Sequence, residues 1–210
     1  MYAVYHGAPG LLRIAQRVHE LTRILHAQLQ EMGYKVENQA YFDTLCINTS
    51  NVEGGTKTVI ETAIKAGINF RVIDQHHVGV TFDESVQPND LVDIINIFAT
   101  ASGSGAVAAS SLPTPTPSAI PAAISRSSGF LPHPVFNTHH SETEMLRYIY
   151  HLQSKDLSLC HAMIPLGSCT MKLNSTSSMI PLSWKPFSSI HPFAPVEQAK
   201  GYTDMIKVCC

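Results

Sequence analysis

Residues 101–123, ASGSGAVAASSLPTPTPSAIPAA, hold no charged residue and consist almost entirely of Ala, Ser, Gly, Thr and Pro. Prolines at 113, 115, 117 and 121 prevent a continuous helix, because each lacks an N–H and its ring clashes with the preceding turn. Side chains this small bury too little apolar surface to offset the entropy of ordering the backbone. The stretch therefore divides the chain. A core must form before it or after it, with 101–125 as a linker or long surface loop. A mucin-like Ser/Thr/Pro stalk is the other reading of such a composition, and nothing else in the chain points to secretion.

The part before the linker has clear periods. Leu11, Ile14, Val18, Leu21, Leu25 and Leu29 recur at spacings of three and four, so 11–32 is predicted as a helix with one apolar stripe. Gly33 follows as a C′ residue free to take positive φ. Residues 40–47 suggest a strand. Gly54 and Gly55 precede a second helix, about 56–66, with Val59, Ile60, Ala63 and Ile64 on its apolar face and Gly67 ending it. Ile68, Phe70 and Val72 alternate with polar residues, as do Val78, Val80 and Phe82, which is the strand period of two. Asp74 to His77 would turn the two into a hairpin. Pro88 suits the first position of a third helix, whose face is Leu91, Ile94, Ile95 and Phe98. The order predicts an α/β class unit over 1–100, an α+β domain with helices on one face of a small antiparallel or mixed sheet.

After the linker, Ser141 and Glu144 form an S-x-x-E capping box before a helix of 142–152. From Asp156 onward the period fades, and 126–210 reads as a largely irregular arm rich in Pro, His and aromatics. So apolar an arm is expected to lie against a larger body. Only 14% of the chain is charged, against a usual quarter, which fits a surface meant to be covered. The net charge of −2 gives no basic footprint for nucleic acid, and no apolar run reaches the ~18 residues of a membrane span. The start, MYAVYHGAPG, has neither a secretory nor a transit-peptide pattern. Five cysteines, at 46, 160, 169, 209 and 210, form no CxxC and are expected to be free thiols.

Several residues carry candidate chemistry. Gly167, Ser168, Cys169 and Thr170 make a run of small polar residues whose backbone N–H groups can cradle an anion, or an ordinary loop. Cys169 is a candidate nucleophile, with His161 eight residues earlier as a guessed partner. Lys172 is a candidate Schiff-base lysine for pyridoxal phosphate, or a solvated lysine. His139 and His140 before Glu142 and Glu144 look like a metal constellation, but the capping box explains the segment better, and no metal is expected. His191 stands in His-Pro-Phe, where its neighbours would fix the ring, or is a packed loop histidine.

Four stretches together carry a resemblance: MYAVYHGAPGLLRIAQRVHELT, HPVFNTHHSETEMLRYIYHLQSKDLSL, MIPLGSCTMKLNS and IHPFAPVEQAKGY. With AYFDTLCI and VTFDESVQPNDL between them, the chain resembles the glycine cleavage system P protein along nearly all its length except 101–119. The resemblance implies a piece of an aspartate-aminotransferase-like, pyridoxal-phosphate-dependent transferase fold. Residues 1–100 would be the small domain closing the first half of the enzyme, and 126–210 the arm opening the second half. It implies an oxidoreductase that decarboxylates glycine and transfers the aminomethyl group to the lipoyl arm of the H protein, with a sibling P-protein half or subunit as partner.

The same resemblance places Gly167, Ser168, Cys169, Thr170, Lys172, Asn174 and His191 among active-site surroundings. It puts the cofactor lysine beyond Cys210, so the chain alone is expected to be inactive. Family members in eukaryotes work in the mitochondrial matrix, others in the cytoplasm. A non-catalytic α+β module for amino-acid binding or assembly is the alternative.

Overall fold

The computed structural model describes residues 1–108, 120–158, 161 and 175–209, the side chains of Thr176 and Cys209 apart. Two compact units divide it, Met1–Tyr150 and His151–Cys210.

The first unit opens with α1, Tyr2–Glu31, which starts nine residues ahead of the predicted helix. Gly7 explains the difference. It sits at φ 60°, ψ −177°, so two helical stretches join across a kink. That backbone region is essentially reserved for glycine. Pro9 then falls in the first turn after the kink, where a missing N–H costs nothing. Val18, Leu21, Leu25 and Leu29 are buried as their spacing predicts. Gly33 ends the helix at φ 80°, and the Tyr34 amide donates to the Leu29 carbonyl (2.8 Å).

Four strands follow among the described residues: β1 (Lys35–Val36), β2 (Thr44–Asn48), β3 (Arg71–Val72) and β4 (His77–Thr81). The sheet runs β1-β2-β4-β3 and every pairing is antiparallel. Leu45 faces Val80 and Ile47 faces Val78, which puts all four on one face. Helices α2 (Gly55–Lys65) and α3 (Pro88–Ala101) join α1 in burying that face. Leu25, Leu29, Leu45, Ile47, Val59, Ile95 and Phe98 are wholly shielded from solvent there. At the top of α3, Pro88 takes the predicted N1 place. Asp90 Oδ2 accepts from the Gln87 amide (2.8 Å), closing a capping box.

Only the end of the predicted 68–72 strand pairs. Ile68 and Phe70 pack against the core ahead of the ladder, and Val72 is exposed on an edge strand. The hairpin at Asp74–His77 forms as predicted, with the Ile73 amide donating to the His77 carbonyl (3.1 Å).

Helix α4 spans Glu142–Gln153, and Ser141 Oγ accepts from the Glu144 amide (3.3 Å), which is the Ser half of the predicted box. Leu146, Ile149 and Leu152, its apolar face, are exposed. In the second unit, the described helices are α5 (Thr176–Met179), α6 (Lys185–Ser188) and α7 (Lys200–Cys209), with a 3₁₀ turn at Ile180–Ser183. Trp184 is 54% exposed and Phe193 90%.

Candidate functional site

Gly167, Ser168, Cys169, Thr170, Lys172 and Asn174 lie outside the described residues. His191 is described and exposed. Its Nδ1 accepts from the Phe193 amide (3.0 Å), and the two rings stand 5.7 Å apart, so the His-Pro-Phe turn does fix the imidazole. In the neutral ring that bond leaves the proton on Nε2. The Nδ1 of His161 pairs with Ser158 Oγ (2.9 Å).

His139 and His140 diverge. His139 stacks on Tyr148 at 4.2 Å, while His140 Nδ1 donates to the Tyr5 carbonyl (2.8 Å). Among the described residues no group of three or more His, Cys, Asp or Glu is placed to hold a metal ion. No described helix is long and apolar enough to cross a membrane.

The solvent face of the sheet carries a charged network that residue spacing did not flag. His77 Nδ1 lies 2.8 Å from both carboxylate oxygens of Asp74, so that nitrogen carries the proton and donates. Its Nε2 lies 3.4 Å from Asn48 Nδ2 and 3.7 Å from Glu37 Oε1. Lys35 Nζ reaches Glu37 at 2.8 Å. The strand period, which turns Val78 and Val80 inward, turns His77 outward beside Asn48. One signal was available: Asp74 and His77 flank the predicted turn, where an Asp commonly accepts from a nearby amide.

Lys35, followed by Asn48, holds the Glu37 carboxyl below the ordinary carboxylate value. The His76 amide, followed by the His77 ring, does the same for Asp74. Burial pushes the Cys46 thiol up, and the charges of Glu37 and Asp74 push it the same way, so Cys46 is a poor nucleophile.

A carboxyl depressed in the fold binds its proton less tightly there than in the unfolded chain. The unfolded state therefore takes up protons first as pH falls through the ordinary 4.5 of Glu and 3.8 of Asp. The stabilisation is present above those values and lost below them. Urea unfolding midpoints should drop as pH is lowered through this window, and Glu37→Gln should flatten part of the drop. An unchanged pH slope in that variant would show that Glu37 is not held in the network.

Lysine settings bear directly on pyridoxal phosphate. A lysine that carries this cofactor must be held unprotonated, which takes burial or a neighbouring positive charge. Lys35, Lys57, Lys65, Lys155, Lys185, Lys200 and Lys207 are all exposed. Lys35 and Lys57 pair with the carboxylates of Glu37 and Glu61. None of the described lysines fits the cofactor.

Residues 1–98 match the family model for the glycine cleavage system P-protein. The likeness extends further. The mitochondrial glycine dehydrogenase (decarboxylating) of Pisum sativum is 48% identical over 205 residues, and glycine dehydrogenase (decarboxylating) 2 of Pseudomonas putida is 52% identical over 206. Each alignment covers 98% of this chain. The chain is similar to the glycine cleavage system P-proteins over nearly all of its own length. The enzyme of Stutzerimonas stutzeri, 50% identical over 206 residues, has the same relation. The chain spans about a fifth of the length of these curated relatives, 19% of the pea protein and 21% of the two bacterial ones. Both sides of the Ala/Ser/Pro-rich stretch therefore have counterparts in one longer protein.

Proposed function

We propose that this chain works as a segment of a P-protein, the glycine dehydrogenase (decarboxylating) of the glycine cleavage system. The whole enzyme decarboxylates glycine with pyridoxal phosphate and passes the aminomethyl group to the lipoyl group of the H protein. The observation that carries this reading is identity of 48–52% across 98% of the chain. In an aminotransferase-like enzyme, residues 1–100 act as the small domain of the first half and 101–125 as the connection. Residues 126–210 act as the arm of the second half. Exposed Trp184 and Phe193 support the arm reading, since aromatic side chains of this size are covered in a finished enzyme.

Gly167, Ser168, Cys169, Thr170, Lys172, Asn174 and His191 contribute to the surroundings of the active site. The cofactor supplies the electron sink that decarboxylation needs. Every described lysine is exposed, which supports the reading that the cofactor lysine is provided by another part of the enzyme; Lys172 lies outside the described residues, and no chemical step is assigned to residues of this chain. The pea relative is named mitochondrial, and the reading places a eukaryotic protein of this kind in the matrix and a bacterial one in the cytoplasm.

The isolated chain is therefore inactive. Mixed with pyridoxal phosphate and reduced with borohydride, it should show by mass spectrometry only scattered, sub-stoichiometric lysine labelling. Glycine labelled in its carboxyl carbon should release no labelled carbon dioxide, even with H protein present. One equivalent of cofactor on Lys172, lost in Lys172→Ala and accompanied by carbon dioxide release, would overturn this reading.

A further inference from the structure

Two glycines of α1 seat two imidazoles against bare helix backbone. A Cβ at Gly7 would come within 2.7 Å of His140 Cε1 and of the Phe136 carbonyl oxygen. A Cβ at Gly10 would lie 2.8 Å from the His6 Cβ and 3.5 Å from its Cγ and Nδ1. The rings are also held from other sides. Tyr2 and Tyr5 stand 4.4 and 5.3 Å from the His6 ring, and His140 Nδ1 donates to the Tyr5 carbonyl (2.8 Å). That bond leaves Nε2 of His140 for another partner.

A cleft of about 300 Å³ opens here, lined by Tyr5, His6, Pro9, Arg13 and His140. Pro9 also lines an adjoining cleft of about 470 Å³, which adds Arg126. No acidic side chain lines either cleft. Among the described residues no carboxylate pairs with Arg13. Glu84, the carboxylate reached from this turn, accepts from Tyr2 Oη (3.3 Å) and is not part of either lining. The titratable and charged groups facing the smaller cleft are Tyr5, His6 and Arg13 from α1 and His140 from the segment docked on it.

We infer that this cleft binds a small oxyanion, the phosphate or carboxylate group of a ligand. Arg13 supplies a permanent charge and a planar fork that suits either group. His6 and His140 add imidazole N–H donors when protonated, and their seats on Gly7 and Gly10 hold both rings in place before the anion arrives. The glycines serve the site by leaving room that any Cβ would fill.

The test titrates the full 210-residue chain with inorganic phosphate, acetate and chloride at constant ionic strength and mildly acidic pH, following the imidazole signals of His6 and His140 by NMR. Both signals should shift saturably with phosphate or acetate, the tighter of the two naming the ligand group, and not with chloride. Arg13→Gln should weaken the apparent affinity about tenfold, as loss of a charge-assisted bond does. Arg13 is exposed, so the variant should keep the circular dichroism and melting temperature of the parent. A chloride response equal to the phosphate response, no saturable shift, or unchanged affinity in Arg13→Gln would each overturn the inference.

Discussion

Phe98→Ala should destabilise the first unit by about 3–5 kcal/mol, the range for truncating a buried phenylalanine. Phe98 has 0% of its surface exposed. Its ring stacks on Phe70 at 5.4 Å and meets the edge of Tyr34 at 5.3 Å. The Tyr34 hydroxyl donates to the Phe98 carbonyl (2.8 Å), so the loss of ring packing also loosens the wall on which that bond depends. Burial pushes the Tyr34 phenol up to about 12, consistent with a hydroxyl sealed in this core. Urea unfolding followed by circular dichroism gives the cost. Phe193→Ala is the matched control, because a residue so exposed should change stability by no more than about 0.5 kcal/mol. Equal costs for the two would mean that α3 does not close the core.

Gly7→Ala should combine two penalties at one atom. Holding a non-glycine residue at φ 60°, ψ −177° costs of order 1–3 kcal/mol. The added methyl meets the His140 ring and the Phe136 carbonyl at 2.7 Å, and such overpacking costs typically another 1–3 kcal/mol. The 3₁₀ turn at Pro134–Phe136 and the His140 contact should both leave α1, which the His140 imidazole signal would report. Gly33→Ala separates the two penalties. Gly33 also has positive φ, but a Cβ there would meet nothing within 4 Å, so only backbone strain applies. If both variants cost the same and His140 stays on Tyr5, the docking of 134–140 does not depend on the bare backbone at Gly7.

Much of the first unit was legible because its three helices and its two longer strands each have one apolar face. The stripe from Val18 to Leu29 and the alternation of Val78, Val80 and Phe82 place those residues in the core they occupy. Gly33 and Pro88 mark a helix end and a helix start by backbone chemistry alone. β1 escaped notice because two residues, Lys35 and Val36, carry no period. The opening of α1 escaped because Gly7, Pro9 and Gly10 usually break helices, whereas here one kink absorbs them all.

The polar network of Glu37, Asn48, Asp74 and His77 depends on β2 and β4 being neighbours, although α2 and β3 separate them in sequence. No local pattern contains that pairing. Residues 126–210 stand out in the sequence by few charges and a fading period, and Trp184 and Phe193 are exposed there. In the segment around Gly167, Gly, Ser, Cys and Thr in a row suit a loop as well as an anion nest, and only the resemblance adds a place near an active site.

The most direct measurement of the central claim is replacement. The matching fifth of the Pseudomonas putida enzyme, 52% identical to this chain, would be exchanged for residues of this chain and the hybrid assayed with H protein. The proposed function predicts a folded hybrid that binds pyridoxal phosphate and releases the carboxyl carbon of glycine as carbon dioxide. A hybrid that folds and takes up the cofactor as the parent does, yet releases none, would contradict it.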